Sequence, residues 1–193
     1  RQTAHNFMGW SPDPLVLAGT TGYDERVIVP RAEEENDFVT LSVHAACRLG
    51  LEYNLGDFDA AARTSRRLDR YMDGLQGTTG YSGALLMGAV ARLRADPKSA
   101  STRKFAKKAE RELARYAKLS PEAYQGSYLR VRAERALADG KHSRAESLFL
   151  DAIRDADRIG HPALKFSARE GIVELYLTTG REEAARGFIL EAA

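Results

Sequence analysis

Cysteine is almost absent: Cys47 is the only one in 193 residues. That excludes an internal disulfide framework and fits a reducing compartment. Long apolar runs are missing too, so no stretch reads as a membrane-spanning helix. The N-terminus lacks the basic-then-apolar layout of a secretory signal. A cytoplasmic location without membrane contact is the expectation. Charge of one sign is not in excess: 29 Lys and Arg stand against 27 Asp and Glu, a net +2 that by itself selects no partner. Nucleotide and metal signatures are lacking as well. The chain contains no G-x-x-x-x-G-K-[ST], no H-E-x-x-H and no Cys/His group at ligand spacing. No catalytic residue, cofactor or metal is therefore expected. The chain begins with Arg1 rather than Met, which reads as a piece of a longer protein.

What is present falls into two parts. Gly9, Pro12, Pro14, Gly19, Gly22 and Pro30 punctuate the first 36 residues, and Gly and Pro interrupt regular structure. An irregular N-terminal segment is expected over 1–36. It would open with a short helix near residues 1–8 and continue as a loop packed by Phe7, Trp10, Leu15 and Leu17. Val27-Ile28-Val29 suits an extended run. Glu33-Glu34-Glu35 suits the start of a helix, because carboxylates favour the positive helix N-terminus.

From Asp37 onward apolar residues recur three and four apart, the spacing of one helical face. Phe38, Leu41, Ala45, Leu49 and Tyr53 set the pattern, and Gly56 stops it. Breaks at Asp96-Pro97, Ser120-Pro121, Gly140 and Gly160-His161-Pro162 divide the remainder, with Ser120 as a cap and Pro121 in the first turn. Three glycines are each followed by Ala five residues later: Gly56 to Ala61, Gly140 to Ala145 and Gly180 to Ala185. Gly140 and Gly180 are 40 residues apart, and Gly56 and Gly140 are 84 apart, close to two such periods. A turn glycine, a small residue that lets two helices approach, then a bulky one (Phe149, Ile189) and another small one (Ala152, Ala192) match a lengthened tetratricopeptide repeat. The expected fold is all-α: a tetratricopeptide-like α-solenoid of about four helix pairs over 37–193, divided near 37–73, 81–119, 121–158 and 162–193. No polar cap closes the last helix at Ala193, so further helix or a neighbouring surface is expected there.

Two stretches carry a family resemblance. Leu49–Ala61, LGLEYNLGDFDAA, and Ala145–Ala193, with Tyr176, Gly180, Ala185 and Phe188 in matching places, resemble the helical-repeat region of multidomain signalling proteins. Those proteins join a STAND-type P-loop ATPase to serine/threonine-kinase-like and sensor histidine kinase domains. TTGYDERVIVP, at 20–30, occupies the position of their variable loop. Val43-His44-Ala45-Ala46-Cys47 departs from the aromatic-rich first repeat helix of that family. The resemblance implies a regulatory linker or sensor segment whose partners are proteins or neighbouring domains of the same chain.

Three surfaces are candidates for that work. The first helix of each pair lines the concave face of such a solenoid, and these carry Tyr124, Tyr128, Arg130, Arg132, Arg135, Lys165, Arg169 and Tyr176, residue types that anchor partners. The competing reading places Tyr128 and Tyr176 in the core between pairs. Lys104, Lys107, Lys108, Arg111 and Arg115 share one helical face, and Arg63, Arg66, Arg67 and Arg70 form a second basic stripe. Such stripes track phosphates, so a nucleic-acid-binding repeat is the alternative function. A solubilising outer face is the plainer reading, because Phe105 and Tyr116 point inward. His44, three residues before Cys47, admits a reactive pair, but a packed core thiol is favoured. The small polar loops Gly19–Gly22 and Gly77–Gly80 precede no lysine and make weak phosphate cradles.

Overall fold

A computed structural model describes residues 1–19 and 22–190, the side chain of Leu190 excepted. The loop residues Thr20 and Thr21 and the open end expected at Ala193 lie outside the described residues. Among those described, ten α-helices, one 3-10 turn and no strand occur. They are α1 (Gln2–Phe7), α2 (Glu25–Glu34), α3 (Phe38–Asn54), α4 (Phe58–Leu68), the 3-10 turn Met72–Leu75, α5 (Thr79–Ala95), α6 (Ala100–Leu119), α7 (Pro121–Ala138), α8 (His142–Ile159), α9 (Pro162–Thr178) and α10 (Glu182–Leu190).

One local device ends most of these helices. Gly140 takes φ +70, its N–H bonds to Leu137 O, and the next N–H, of Lys141, reaches back to Ala136 O. Gly56, Gly160 and Gly180 repeat the same pair of bonds. This is the Schellman ending, which satisfies orphan carbonyls and needs a left-handed residue. Asn36, at φ 53, performs the same turn between α2 and α3. Asn tolerates this conformation better than any β-branched residue. Starts are equally local: Asp24, Asp37 and Asp57 accept from the backbone N–H of Arg26, Thr40 and Ala60. Ser120 makes no side-chain cap bond, so α7 begins on Pro121 alone.

The N-terminal expectations are corrected in three places. Val27-Ile28-Val29 lies inside helix α2 rather than in an extended run, because Asp24 caps it and the turns on either side leave a helix-length stretch. Glu33 and Glu34 end that helix instead of starting one, since the left-handed Asn36 follows directly. Phe7 and Trp10 are exposed; the loop packs through buried Leu17 and through Asn6, whose amide donates to the carbonyls of Pro14 and Val16.

The described residues form two compact units, Arg1–Ala95 and Asp96–Ala193. In the first, α1, α2, α4 and α5 all pack on α3, and α4 packs on α5. Its core holds Leu49, Leu51, Ala61, Ala62, Leu68, Leu85 and Val90, and Arg92 is buried with them, donating to Ser65 and Asp69. In the second, each helix from α6 to α10 packs on the next, and α7 also meets α9. Ala145, Phe149, Ala152, Ala168, Ile172 and Ala185 centre that core. The helices of the expected 81–119 pair belong to different units: α5 packs on α3 and α4, α6 on α7.

Candidate partner-binding surface

The eight residues expected along the groove all lie in the second unit, and most are engaged there already. Arg130 is fully buried. Its guanidinium pairs with buried Glu134, donates from Nε to Ser167 Oγ at 3.2 Å, and lies 5.0 Å from the centre of the Phe149 ring. This arginine holds α7 to α9 and offers nothing to solvent. Gly171 makes the arrangement possible, since a Cβ there would strike both Phe149 and the Arg130 guanidinium.

Arg132 and Arg135 project from the next turns of α7 and both pair with Glu110 of α6, the former at 3.6 Å. Arg132 also sits 5.2 Å from the Tyr128 ring centre, and Tyr124 packs on Tyr116 with centroids 5.3 Å apart. Lys165 pairs with Asp157 at 2.5 Å, and Arg169 is half-buried. Tyr176 is core: its hydroxyl donates to Glu146 at 2.8 Å, its ring meets Phe188 edge-on, and Arg181 covers its face at 4.2 Å. Burial, then the Glu146 carboxylate, pushes the Tyr176 phenol up. The exposed edge of α9 is apolar instead. Phe166 is 66% exposed there, a residue that periodicity does not single out because it falls off the buried face.

The basic stripe has the opposite character. Lys104, Lys107 and Lys108 are exposed on α6, and none has a carboxylate within the 4.0 Å of an ion pair. Arg111 and Arg115 flank Glu112 at 3.7 and 3.0 Å and remain largely exposed. Phe105 is buried, so no aromatic ring joins the three lysines.

His44 and Cys47 do not form a pair. Tyr23 Oη lies 2.9 Å from His44 Nδ1, and Glu25 lies 3.6 Å from Nε2. The tautomer with the proton on Nε2 faces the carboxylate and leaves Nδ1 to accept from the phenol. Burial holds the His44 imidazole below its usual range, against the pull of Glu25. Cys47 is half-buried rather than sealed in the core, because it lines an apolar cavity of about 390 Å³ with Leu17, Val39 and Val43. On the other side of His44 lies a larger polar cavity that sequence spacing does not reveal. Arg48 forms its floor, bound to Glu25 at 2.7 Å and to Glu52 at 2.9 Å, and Arg63 and Arg67 stand on its α4 wall.

Among the described residues no group of three His, Cys, Asp or Glu stands ready to hold a metal ion, and no helix is long and apolar enough to cross a membrane. Comparison with models of known protein families, with curated proteins and with solved structures finds no match.

Proposed function

We propose that this chain is a non-catalytic interaction module, a tetratricopeptide-like helical repeat that binds a protein partner or couples neighbouring domains of one signalling chain. The observation that carries the reading is the recurrence of one turn. Gly56, Gly140 and Gly180 share their left-handed φ and their two hydrogen bonds, and Ala61, Ala145 and Ala185, five residues on, are each buried. A unit that repeats both its turn and its close-packing residue is suited to stack on copies of itself, and the packing of each helix from α6 to α10 on the next supports this reading. Stacked pairs present long surfaces suited to extended partners. The resemblance of Leu49–Ala61 and Ala145–Ala193 to the helical region beside STAND-type ATPases supports the regulatory side of this reading and a cytoplasmic setting.

The site is the edge of α7 and α9, where Tyr124, Tyr128 and exposed Phe166 are available and the nearby cations are held by their own carboxylates. Anchors of this kind work through buried apolar area, with the charges fixing orientation. The test is a photo-crosslinker at Tyr128 or at Phe166, activated in the cells that make the protein. The expected product is a discrete adduct to one protein or to another domain of the same chain. Adducts to nucleic acid alone, or none at either position, would reject the reading.

A second reading rests on the unpaired lysines of α6. They suit a phosphate backbone, bound without base stacking and with a steep salt dependence. Fluorescence anisotropy with labelled RNA and DNA at low salt decides it. No binding removes the alternative, whereas binding lost in a Lys104→Ala, Lys107→Ala, Lys108→Ala variant establishes it.

A further inference from the structure

The polar cavity of the first unit has an imbalance that its own residues do not resolve. It encloses about 690 Å³, within the range of small-molecule sites. Its floor holds two carboxylates, Glu25 and Glu52, and one guanidinium, Arg48, which is bonded to both. Neutral His44 completes the floor, so the buried part carries one negative charge in excess. The Glu52 side chain is only 4% exposed, and its Oε2 accepts no hydrogen bond. Glu25 Oε2 likewise accepts none, its nearest donor being His44 Nε2 at 3.6 Å. Buried carboxylate oxygens without donors are costly.

Across the cavity stand Arg63 and Arg67, one turn apart on α4. Neither has a carboxylate within 4.0 Å, and both are exposed residues lining the cavity. The lining therefore sets the two floor carboxylates against two unpaired arginines of α4, with the Asp57 carboxylate also on it but engaged in capping α4 through the Ala60 N–H. Leu15, Val29 and Ala60 supply apolar surface between the two. A simple anion would meet the arginines but leave Glu52 without a donor. A simple cation would do the reverse. One class of ligand answers both: a molecule with an ammonium for the floor, a carboxylate for the paired guanidiniums and an apolar body for the remainder.

We propose that this cavity binds a free amino acid with an apolar side chain. The ammonium donates to Glu52 Oε2 and Glu25 Oε2, which a small shift of these side chains opens to it. The carboxylate lies between Arg63 and Arg67, where planar guanidinium forks bind carboxylates with two bonds each. The side chain rests on Leu15 and Val29. This site is separate from the surface of α7 and α9 and does not depend on the interaction reading.

Isothermal titration of the 193-residue protein with leucine and phenylalanine tests it. Leucine stripped of its carboxylate (3-methylbutylamine) and leucine stripped of its ammonium (4-methylpentanoate) are the controls. Saturable binding of at least one amino acid is expected, with each control weaker by at least about tenfold, or about 1.4 kcal/mol. Arg63→Ala combined with Arg67→Ala removes the carboxylate contacts from exposed positions and should weaken binding by a similar factor without changing the circular dichroism. Glu52→Gln provides the independent check from the floor. Absence of binding by both amino acids, equal binding of 4-methylpentanoate, or binding unchanged in the double arginine variant would each overturn the proposal. A ligand-free melting temperature that drops in the double variant would also overturn it, because the arginines would then be closing on the floor themselves.

Discussion

The two units handle charge and space differently although both are helical. In the second unit Arg130, Arg132, Arg135, Lys165 and Arg181 each find a carboxylate of the same unit. In the first, Arg48 and Arg92 are paired as well, but the arginines of α4 find no carboxylate, and two cavities border His44. The difference follows from what joins the helices. From α6 to α10 every connection is short, and each helix packs on the next. In the first unit the irregular stretch between α1 and α2 meets α3, through Tyr23 on His44 and Leu17 beside Val39 and Val43. One of the two cavities is apolar, lined by Leu17, Val39 and Val43, and the other is polar, lined by side chains of α2, α3 and α4.

The comparison can be broken hardest at Phe149. Its side chain is fully buried at the centre of the second core. Phe149→Ala should cost about 3–5 kcal/mol in denaturant unfolding. The two buried arginines provide a sharper contrast. Arg130→Met strips buried Glu134 of its guanidinium and should cost about 3–5 kcal/mol, part of it recovered by adding Glu134→Leu. Arg92→Met should cost less, because its partner Asp69 is 47% exposed and keeps its water. An Arg92 variant as damaging as the Arg130 one would erase the distinction between the units.

A smaller effect separates them by pH. The folded His44 is held below the ordinary histidine value of 6.5, so between those two values the unfolded chain binds the extra proton. Stability is then full above pH 6.5 and falls as the pH drops toward the folded value, by at most about 1.4 kcal/mol per pH unit. His44→Gln should flatten this slope in urea melts measured from pH 7.5 downward. Smallest of all is the lysine stripe. Changing Lys104, Lys107 and Lys108 to Ala should alter stability by no more than about 0.5 kcal/mol, because these exposed lysines make no ion pair to lose.

Most helix limits were legible because the signals that set them are local. Gly140, Gly160 and Gly180 stop helices by backbone conformation, and Pro121 and Pro162 start them. Where local signals competed, the reading went astray. Val27-Ile28-Val29 has the composition of a strand, yet the cap of Asp24 and the left-handed Asn36 enclose a helix, and β-branched residues tolerate that at modest cost. The candidate residues lie on α6, α7 and α9, but whether each is buried, paired or exposed was not legible. Spacing puts Arg130, Arg132 and Tyr128 on one helix; it does not say that Glu134 and Phe149 have enclosed the first.

Composition and periodicity were enough to decide that the chain is helical, where it turns and which small residues sit at close contacts, because each of these depends on a few neighbouring residues. Which charges are paired and which face a cavity depends on side chains that meet across tens of residues. Arg48 with Glu25, Arg130 with Ser167 and Tyr176 with Glu146 are such meetings. Only packing in three dimensions brings these groups together and decides whether a cation is sealed in a core, held at a surface or left open to a ligand.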